Sequence, residues 1–232
     1  MKTALTAVPH AVLFDAYGTL FDVYGIAALA EQLFPGQGAA LAALWRDKQI
    51  DYTRIRTLSD PDGRHYRPFW EVTRDALRYA GKRLGLNLSE DDETRLMQAY
   101  RTLAPFADAR AVLQALRGRG IPTGILSNGN RSMLHDVVQA AGFDGLFTHV
   151  LSVDELRRYK THPMVYALGC EKFACASGNI LFVSSNAWDA CAATWYGYVT
   201  LWVNRAGLPA EELGVAPTRT GTSLADVMRF FD

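Results

Sequence analysis

The sequence predicts an α/β protein, a mostly parallel sheet with helices on both faces, interrupted after its first strand by a block of helices. Three observations predict it. The run Val12, Leu13, Phe14 is apolar throughout and ends on Asp15, residues 22 to 102 carry helical patterns with no strand-like run between them, and after Pro105 short apolar runs alternate with single helices. A strand that is apolar at every position is one buried on both faces, as parallel strands are. A single helix between successive strands is the crossover that parallel pairing requires.

In chain order, Val12 to Phe14, ending at Asp15, is the first strand, and Gly18 lets the chain turn away behind Asp15. Helices are expected over Tyr24 to Phe34, Gly38 to Leu58, Tyr66 to Leu84 and Ser89 to Leu103. In the second of these, Leu41, Leu44, Trp45, Lys48, Tyr52 and Ile55 recur at helical steps, which puts them on one packed face with Lys48 at its edge. The segment SDPDGRHYR, Ser59 to Arg67, is polar and carries Pro61 and Gly63, the composition of a surface loop. A helix follows from Asp108 to Leu116, then a strand from Pro122 to Leu126, a helix from Arg131 to Ala141 and a strand from Thr148 to Ser152. The alternation continues with a helix from Pro163 to Phe173, a strand from Ile180 to Val183, a helix from Ala187 to Tyr196, a strand from Val199 to Val203 and a closing helix from Ser223 to Phe231.

The 232 residues suffice for one sizeable core plus a smaller appended unit. With 24 basic and 24 acidic residues the formal charge is zero, so no global field recruits nucleic acid or an anionic membrane, and a small-molecule role is favoured. Cys170, Cys175 and Cys191 lack metal-site spacing and read as reduced, buried, inert thiols. The start MKTALTAVPH is too short for a signal-type apolar core, and no later segment approaches the ~18 apolar residues of a membrane span. A cytoplasmic location is therefore expected.

In open α/β sheets ligands bind beyond the carboxyl ends of the strands. Reading just past the expected strands gives Asp15, Tyr17 and Thr19, then Ser127 and Asn128, then Lys160, then Ser184, Asn186 and Asp189. Each alone has an ordinary structural explanation: Asp15, Thr19 and Ser127 suit caps, Asn128-Gly129 suits a turn and Lys160 suits solvent. Complementary charge at successive strand ends does not. A carboxylate beside a lysine, hydroxyls and the amides of a Gly turn is held ionised and aimed, the condition of a nucleophile rather than of a proton donor.

D-A-Y-G-T-L at 15 to 20, S-N-G at 127 to 129, Lys160, and S-S-N-A-W-D at 184 to 189, in this order, resemble the four motifs of the haloacid dehalogenase superfamily. W-R-D-K-Q at 45 to 49, F-W-E-V-T at 69 to 73, D-A-L-R-Y at 75 to 79 and W-V-N-R at 202 to 205 narrow the resemblance to the L-2-haloacid dehalogenases (type II), over nearly the whole chain. The resemblance implies a Rossmann-like core of residues 1–21 and 103–232 with a helical cap of residues 22–102. The reaction it implies is hydrolysis of short L-2-haloalkanoic acids to D-2-hydroxy acids and halide, with inversion and with neither cofactor nor metal.

By the family's mechanism, Asp15 attacks the substrate Cα from behind the halogen and forms an ester, which water then opens at the Asp15 carboxyl carbon. Arg46, Asn128 and the ring of Trp188 would lie over the departing halide. Ser127, its own amide and the Asn128 amide would hold the substrate carboxylate. Lys160 would keep Asp15 ionised and Thr19 would steady it. Ser184, Asn186 and Asp189 would arrange the hydrolytic step, with Asp189 activating water, and Tyr17 and Tyr166 would complete the pocket wall. A homodimer is also implied, with cap residues such as Leu77 and Tyr79 as candidate contacts, though an apolar helix face fits an intramolecular core equally well. Trp45 and Trp70 are expected only to pack, and the histidines to be surface or structural.

Two other readings are weighed against this one, a phosphatase-type hydrolase of the same superfamily and a non-catalytic small-molecule-binding protein. Superfamily phosphatases carry D-x-D-x-T and G-D-x-x-x-D. Here Tyr17 stands at the second acidic position and Ser185 where a metal-binding Asp would be. Losing both carboxylates leaves no proton donor for an alkoxide and a poor octahedral oxygen site. A binding scaffold, in turn, has no need to keep nucleophile, cation and water-positioning groups together. The chain departs from the family pattern in reading K-T-H-P after Lys160, without the directly following Pro, which predicts a less rigid Lys160. Its 59–67 loop is also longer than usual, which would alter substrate size preference if the loop reaches the entrance.

Overall fold

A computed structural model describes residues 8–60 and 62–232. Pro61, and residues 1–7, on which the expectation about a leader segment bears, lie outside the described residues. Strand β1 (Ala11–Phe14) is followed by helices α1 (Ile26–Leu33), α2 (Gly38–Leu58), α3 (Phe69–Arg83) and α4 (Glu90–Ala99). Then come α5 (Ala109–Gly118), β2 (Thr123–Ser127), α6 (Arg131–Ala140), β3 (His149–Ser152), α7 (Pro163–Phe173), β4 (Ile180–Ser184), α8 (Ala187–Tyr196), β5 (Val199–Val203) and β6 (Arg219–Gly221).

The six strands pair in parallel in the order β3-β2-β1-β4-β5-β6. Chain order therefore reverses at β1, which lies between β2 on one side and β4 on the other. A crevice opens at the carboxyl end of such a switch strand because the following connections leave in opposite directions. All four residues of β1 and all five of β4 are buried, which explains their unbroken apolar runs. In sequence α1 to α4 stand between β1 and α5, and they pack largely on one another, α2 against α1 and α3, and α4 against the same two.

Several boundaries follow from local chemistry. Pro163 occupies the first turn of α7, where its missing N–H is not needed, and His162 accepts from the Met164 amide at 3.3 Å. Gly197, at φ +107°, ends α8 in the left-handed region. The α3 helix starts at Phe69 and not at Tyr66, because Pro68 at its N-cap is extended and holds the preceding residue out of the helical region. The closing helix is a 3-10 helix over Leu224–Phe230, capped reciprocally by Ser223 and Asp226. Strand β6, R-T-G, carries no apolar run and is visible only through its pairing with β5.

Three expectations about burial are corrected. The buried face of α2 is Gly38, Leu41, Trp45, Gln49 and Thr53, whereas Ile55 is 58% exposed. This stripe rotates toward polar residues, which places Arg46 and Ile50 of the same helix over the sheet end. Leu77, named as a contact between copies, is fully buried within the chain, while Tyr79 is exposed. Of the thiols only Cys191 is buried; Cys170 and Cys175 are half-buried.

Asp108, just before α5, ties the far side of the sheet together. Its carboxylate accepts from both terminal nitrogens of Arg205 at 2.9 Å and from the Leu224 amide at 2.8 Å. Burial pushes its pKa up, but Arg205 and the backbone donor outweigh burial and the net direction is down. Asp108→Asn is expected to cost about 1–3 kcal/mol in urea unfolding at neutral pH. A depressed folded pKa contributes stability above the unfolded value of about 3.9 and loses it as pH falls through the folded value, so parent and variant converge in acid.

Candidate active site

The site begins with Asp15, one residue past β1 and 6% exposed. Its backbone amide still donates to Val183 of β4 at 2.9 Å, so the carboxylate is mounted on the sheet itself. Gly18, at φ +90°, then takes a conformation that side chains resist and turns the chain off the strand. One carboxylate oxygen, Oδ2, accepts from Asn186 Nδ2 at 2.8 Å, Thr19 Oγ1 at 3.2 Å and Ser184 Oγ at 3.4 Å. The other, Oδ1, accepts from Lys160 Nζ at 2.9 Å.

The donors are themselves held. Thr19 Oγ1 accepts from the Ser185 amide at 2.8 Å, and Ser184 Oγ from the Asn186 amide at 3.1 Å, so the turn after β4 is closed around Asp15. Lys160 is 1% exposed, and its ammonium also donates to Asp189 Oδ2 at 2.8 Å. Burial pushes its pKa down, but the attraction of Asp15 and Asp189 outweighs burial, and the net direction is up. Asp189, fully buried, is raised by burial and by Asp15 against the opposing pull of Lys160. Two carboxylates thus share one ammonium.

Despite the Thr161 that follows it, Lys160 is not loose. Its backbone amide donates to Asn128 Oδ1 at 2.9 Å, and the Tyr159 amide donates to Thr57 Oγ1 of α2 at 2.9 Å. Because the Asn128 oxygen is committed to Lys160, its Nδ2 is the donor available to a ligand. Ser127, at the end of β2, accepts from the Gly129 amide at 3.0 Å. Gly129 has no alternative: a Cβ there would sit 2.7 Å from Cε2 of Tyr17.

From α2, Arg46 reaches across to this cluster, donating to Tyr17 O and Asn186 Oδ1, each at 3.4 Å, and to Gln49 Oε1 at 2.6 Å. Among the described residues no carboxylate pairs with Arg46. The cavity between them is about 20 Å³ and is lined by Asp15, Tyr17, Arg46, Ser127, Asn128 and Lys160, with Ile50, Thr53, Phe69, Asn186 and Trp188 completing the wall. A wider depression of about 350 Å³ beside β3, lined by Arg131, His135 and Val150 among others, holds none of this chemistry.

Of the sequence-derived candidates, Asp15, Tyr17, Arg46, Ser127, Asn128, Lys160, Asn186 and Trp188 therefore converge on one cavity, and Thr19 and Ser184 bond its carboxylate. Tyr166 is corrected: it is not part of the cavity wall but lies behind it, its hydroxyl donating to Asp189 Oδ1 at 2.8 Å. Asp189 likewise sits behind Lys160, with both oxygens engaged. Among the described residues, the 59–67 loop does not line the cavity either. It docks beside it, Asp60 buried, Tyr66 bonded to Asp154 and the Arg67 carbonyl to the Tyr159 hydroxyl. Missed from sequence were Ile50, Thr53 and Phe69 in the wall, and Arg54, whose guanidinium lies 4.8 Å over the Trp188 ring. The spacing of Arg46, Ile50, Thr53 and Arg54 on α2 carried that signal, since all lie within two helical turns of one face.

A divalent cation does not suit these residues. Both oxygens of Asp15 are taken by donors, and the ammonium of Lys160 already stands between the two carboxylates. Ser185 Oγ, at the position of a metal-binding acid, is buried with no hydrogen-bond partner among the described residues. Among the described residues no three His, Cys, Asp or Glu side chains gather as a ligand set.

A family model described as haloacid dehalogenase-like hydrolase matches residues 9–197. Haloacetate dehalogenase H-2 of Moraxella sp. (strain B) is 43% identical over 211 residues, 91% of this chain and 92% of that protein. The (S)-2-haloacid dehalogenase of Pseudomonas sp. (strain YL) is 42% identical over 221 residues, 95% of this chain and 94% of that one. Among solved structures, an L-2-haloacid dehalogenase superposes with a TM-score of 0.95 at 57% identity, covering 97% of this chain and 99% of its own. The L-2-haloacid dehalogenase from Xanthobacter autotrophicus with chloropropionic acid covalently bound gives a TM-score of 0.87 at 35% identity, covering 96% and 98%.

Proposed function

The chain belongs to the haloacid dehalogenase-like hydrolases and within them to the L-2-haloacid dehalogenases, and from that premise we propose the part each residue plays in its reaction. The chain hydrolyses the carbon-halogen bond of short L-2-haloalkanoic acids, giving D-2-hydroxy acids through an ester on aspartate. The observation that carries the assignment to Asp15 is the shared ammonium. Lys160 bridges Asp15 and Asp189 at 2.9 and 2.8 Å, which fixes the cavity-facing carboxylate beside a positive charge and aims it at the cavity.

In the first step an Asp15 oxygen attacks Cα, the C–O bond forms as the C–halogen bond breaks, and the halide leaves with the bonding pair. Attack from behind inverts the centre. Arg46, the Asn128 amide nitrogen and the edge of Trp188 are the donors for the negative charge that develops on the halogen. Ser127 and the amides of its turn take the carboxylate, with Tyr17, whose buried hydroxyl has no partner among the described residues, in the wall beside them.

In the second step water adds to the Asp15 carboxyl carbon, the hydroxy acid leaves with the oxygen that Asp15 brought, and a water oxygen restores the carboxylate. One water proton goes to the departing alkoxide and the other is released. Ester formation removes the charge of Asp15, so Asp189 is the ionised acceptor left beside Lys160, and burial raises its basicity. Ser184 and Asn186, which bond Asp15 in the free enzyme, steady the ester, and Thr19 does so from the other side.

A cavity of about 20 Å³ has room for little more than a water-sized guest. A haloacid enters only when α2 and the sheet end move apart, so residues 22–102 act as a cap over a core of residues 1–21 and 103–232. The exposed apolar residues Ile55, Leu58 and Tyr79 on that cap support a homodimer, and the small anionic substrate is compatible with a cytoplasmic enzyme. Among the described residues no helix is long and apolar enough to cross a membrane.

The test is halide release from L- and D-2-chloropropionate beside phosphate release from p-nitrophenyl phosphate, all with chelator present. Chloride from the L enantiomer alone, with D-lactate as product, is expected; phosphate release dependent on added magnesium would restore the phosphatase reading. The alkaline limb of kcat is expected above the ordinary lysine pKa of about 10.4, because the net shift at Lys160 is upward and its proton is retained until that value is passed. A limb two units lower would remove Lys160 as the counterion of Asp15.

A further inference from the structure

We propose that Gln49 is a positioning residue for this reaction, holding Arg46 over the cavity through a hydrogen-bonded relay from the backbone of α3. The proposal rests on the reading of Arg46 as the cation that meets the substrate anion and the departing halide. Gln49 is fully buried, a costly place for a carboxamide unless both of its ends are paired. Its Oε1 accepts from Arg46 Nη1 at 2.6 Å, and its Nε2 donates to Thr73 Oγ1 at 2.7 Å. Thr73 Oγ1 in turn donates to the Phe69 carbonyl at 2.7 Å.

Elementary chemistry sets the direction of this chain from its two ends. A guanidinium can only donate, and a backbone carbonyl can only accept. The Thr73 proton is therefore committed to Phe69, the hydroxyl must accept from the amide nitrogen, and the amide oxygen must face Arg46. Reversing the amide would set donor against donor at Arg46. Trp45, next to Arg46, donates from Nε1 to the Thr73 carbonyl at 2.7 Å, so the same turn of α3 is pinned by two neighbouring turns of α2.

A neutral acceptor is what this position requires. A carboxylate would orient the guanidinium equally well but would cancel its charge, leaving less for an incoming anion. An apolar residue would leave the charge but not the direction. The other contacts of Arg46, to Tyr17 O and Asn186 Oδ1, are long at 3.4 Å, so Gln49 supplies the short one. The wall of the cap facing Asp15 is thus held by a residue that does not line the cavity.

Four variants of the full chain test this: Gln49→Met, Gln49→Glu, Thr73→Val and Thr73→Ser. For each, kcat and KM on L-2-chloro- and L-2-bromopropionate, inhibition by bromide and the melting temperature are measured. Gln49→Met is expected to lose about 100-fold in kcat/KM, the scale of a displaced catalytic group. Gln49→Glu is expected to lose as much, with weaker bromide inhibition and a larger bromo-to-chloro rate ratio, because the poorer leaving group depends more on the cation. Thr73→Val, which keeps shape but loses the hydroxyl, is expected to lose about tenfold, and Thr73→Ser to recover most of that loss.

Parent-like kcat/KM and bromide inhibition in Gln49→Glu would overturn the relay, as would equal losses in Thr73→Val and Thr73→Ser that merely track melting temperature. If Gln49→Met does not fold, the Thr73 pair decides. Arg46→Met separates the two levels: an active Arg46→Met sinks the reading of Arg46 itself, whereas an inactive Arg46→Met beside unaffected Gln49 variants sinks only the relay.

Discussion

Replacing Asp15 by Asn is expected to lower turnover of L-2-chloropropionate by at least about 10⁴-fold, the scale of losing a nucleophile, while the protein stays folded. Asn has nearly the same shape, and Lys160 keeps Asp189 as a counterion, so the ammonium is not left alone in the interior. Removing the Asp15 charge also takes away one of the influences that raise the pKa of Asp189. The melting temperature should therefore move far less than the rate. A single turnover of the parent in heavy-oxygen water should leave the label in the Asp15 carboxylate and not in the first molecule of hydroxy acid. Label in that first product would mean direct attack of water on Cα and would end the ester mechanism for this residue.

Lys160→Met is expected to cost both activity and stability. Taking away one partner of a buried ion pair is destabilising by about 3–5 kcal/mol, because the remaining charge has nowhere to go. Here the two remaining carboxylates also face each other. For a chain of this size that is a fall in melting temperature on the order of 10 °C. The pH dependence gives the cause away. Without the ammonium, at least one carboxylate has its folded pKa raised above the unfolded value of about 3.9, so the penalty is present above the folded pKa and disappears below the unfolded one. Parent and variant should converge as pH falls. In the parent, Lys160 contributes stability that is present below the unfolded lysine pKa and is lost only above its raised folded value. A gap between the two proteins that stayed constant from neutral to acid pH would mean that Lys160 matters by packing, against Phe182 for example, and not by charge.

Much of the fold was legible because its signals are local. The bounds of α2, α7, α8 and β5 coincide with those read from the chain, since a Pro at the start of α7 and a Gly after α8 act on the dihedral angles of their own neighbours. Where the signal was not local the reading failed. Strand β6 exists because β5 offers it a partner, and its own three residues say nothing of the kind. The buried stripe of α2 was taken from hydrophobicity and came out rotated, because Gln49 and Thr53 are buried for their hydrogen bonds and not for their transfer free energy. Leu77 shows the opposite case: an apolar helix face looks the same whether another chain or its own core covers it, and only the packing assigns Leu77 to the core.

The candidate site divides in the same way. From sequence alone came the carboxylate at the end of the first strand, its rigid mount, the turn residues that leave it uncovered, and a set of polar groups at the neighbouring strand ends. These are properties of chain segments, set by periodicity and turn chemistry, and a single strand of text carries them. Which charge meets which was decided only in three dimensions. Lys160 lies 145 residues from Asp15 and 29 from Asp189, and only the crossing of the chain at the switch strand makes its ammonium common to both. The same crossing put Tyr166 on Asp189 behind the cavity instead of in its wall, and brought Arg46 over Asp15 from α2. Local order along the chain depends on neighbouring dihedral angles, whereas pairing of buried charges depends on which segments the packed sheet places side by side.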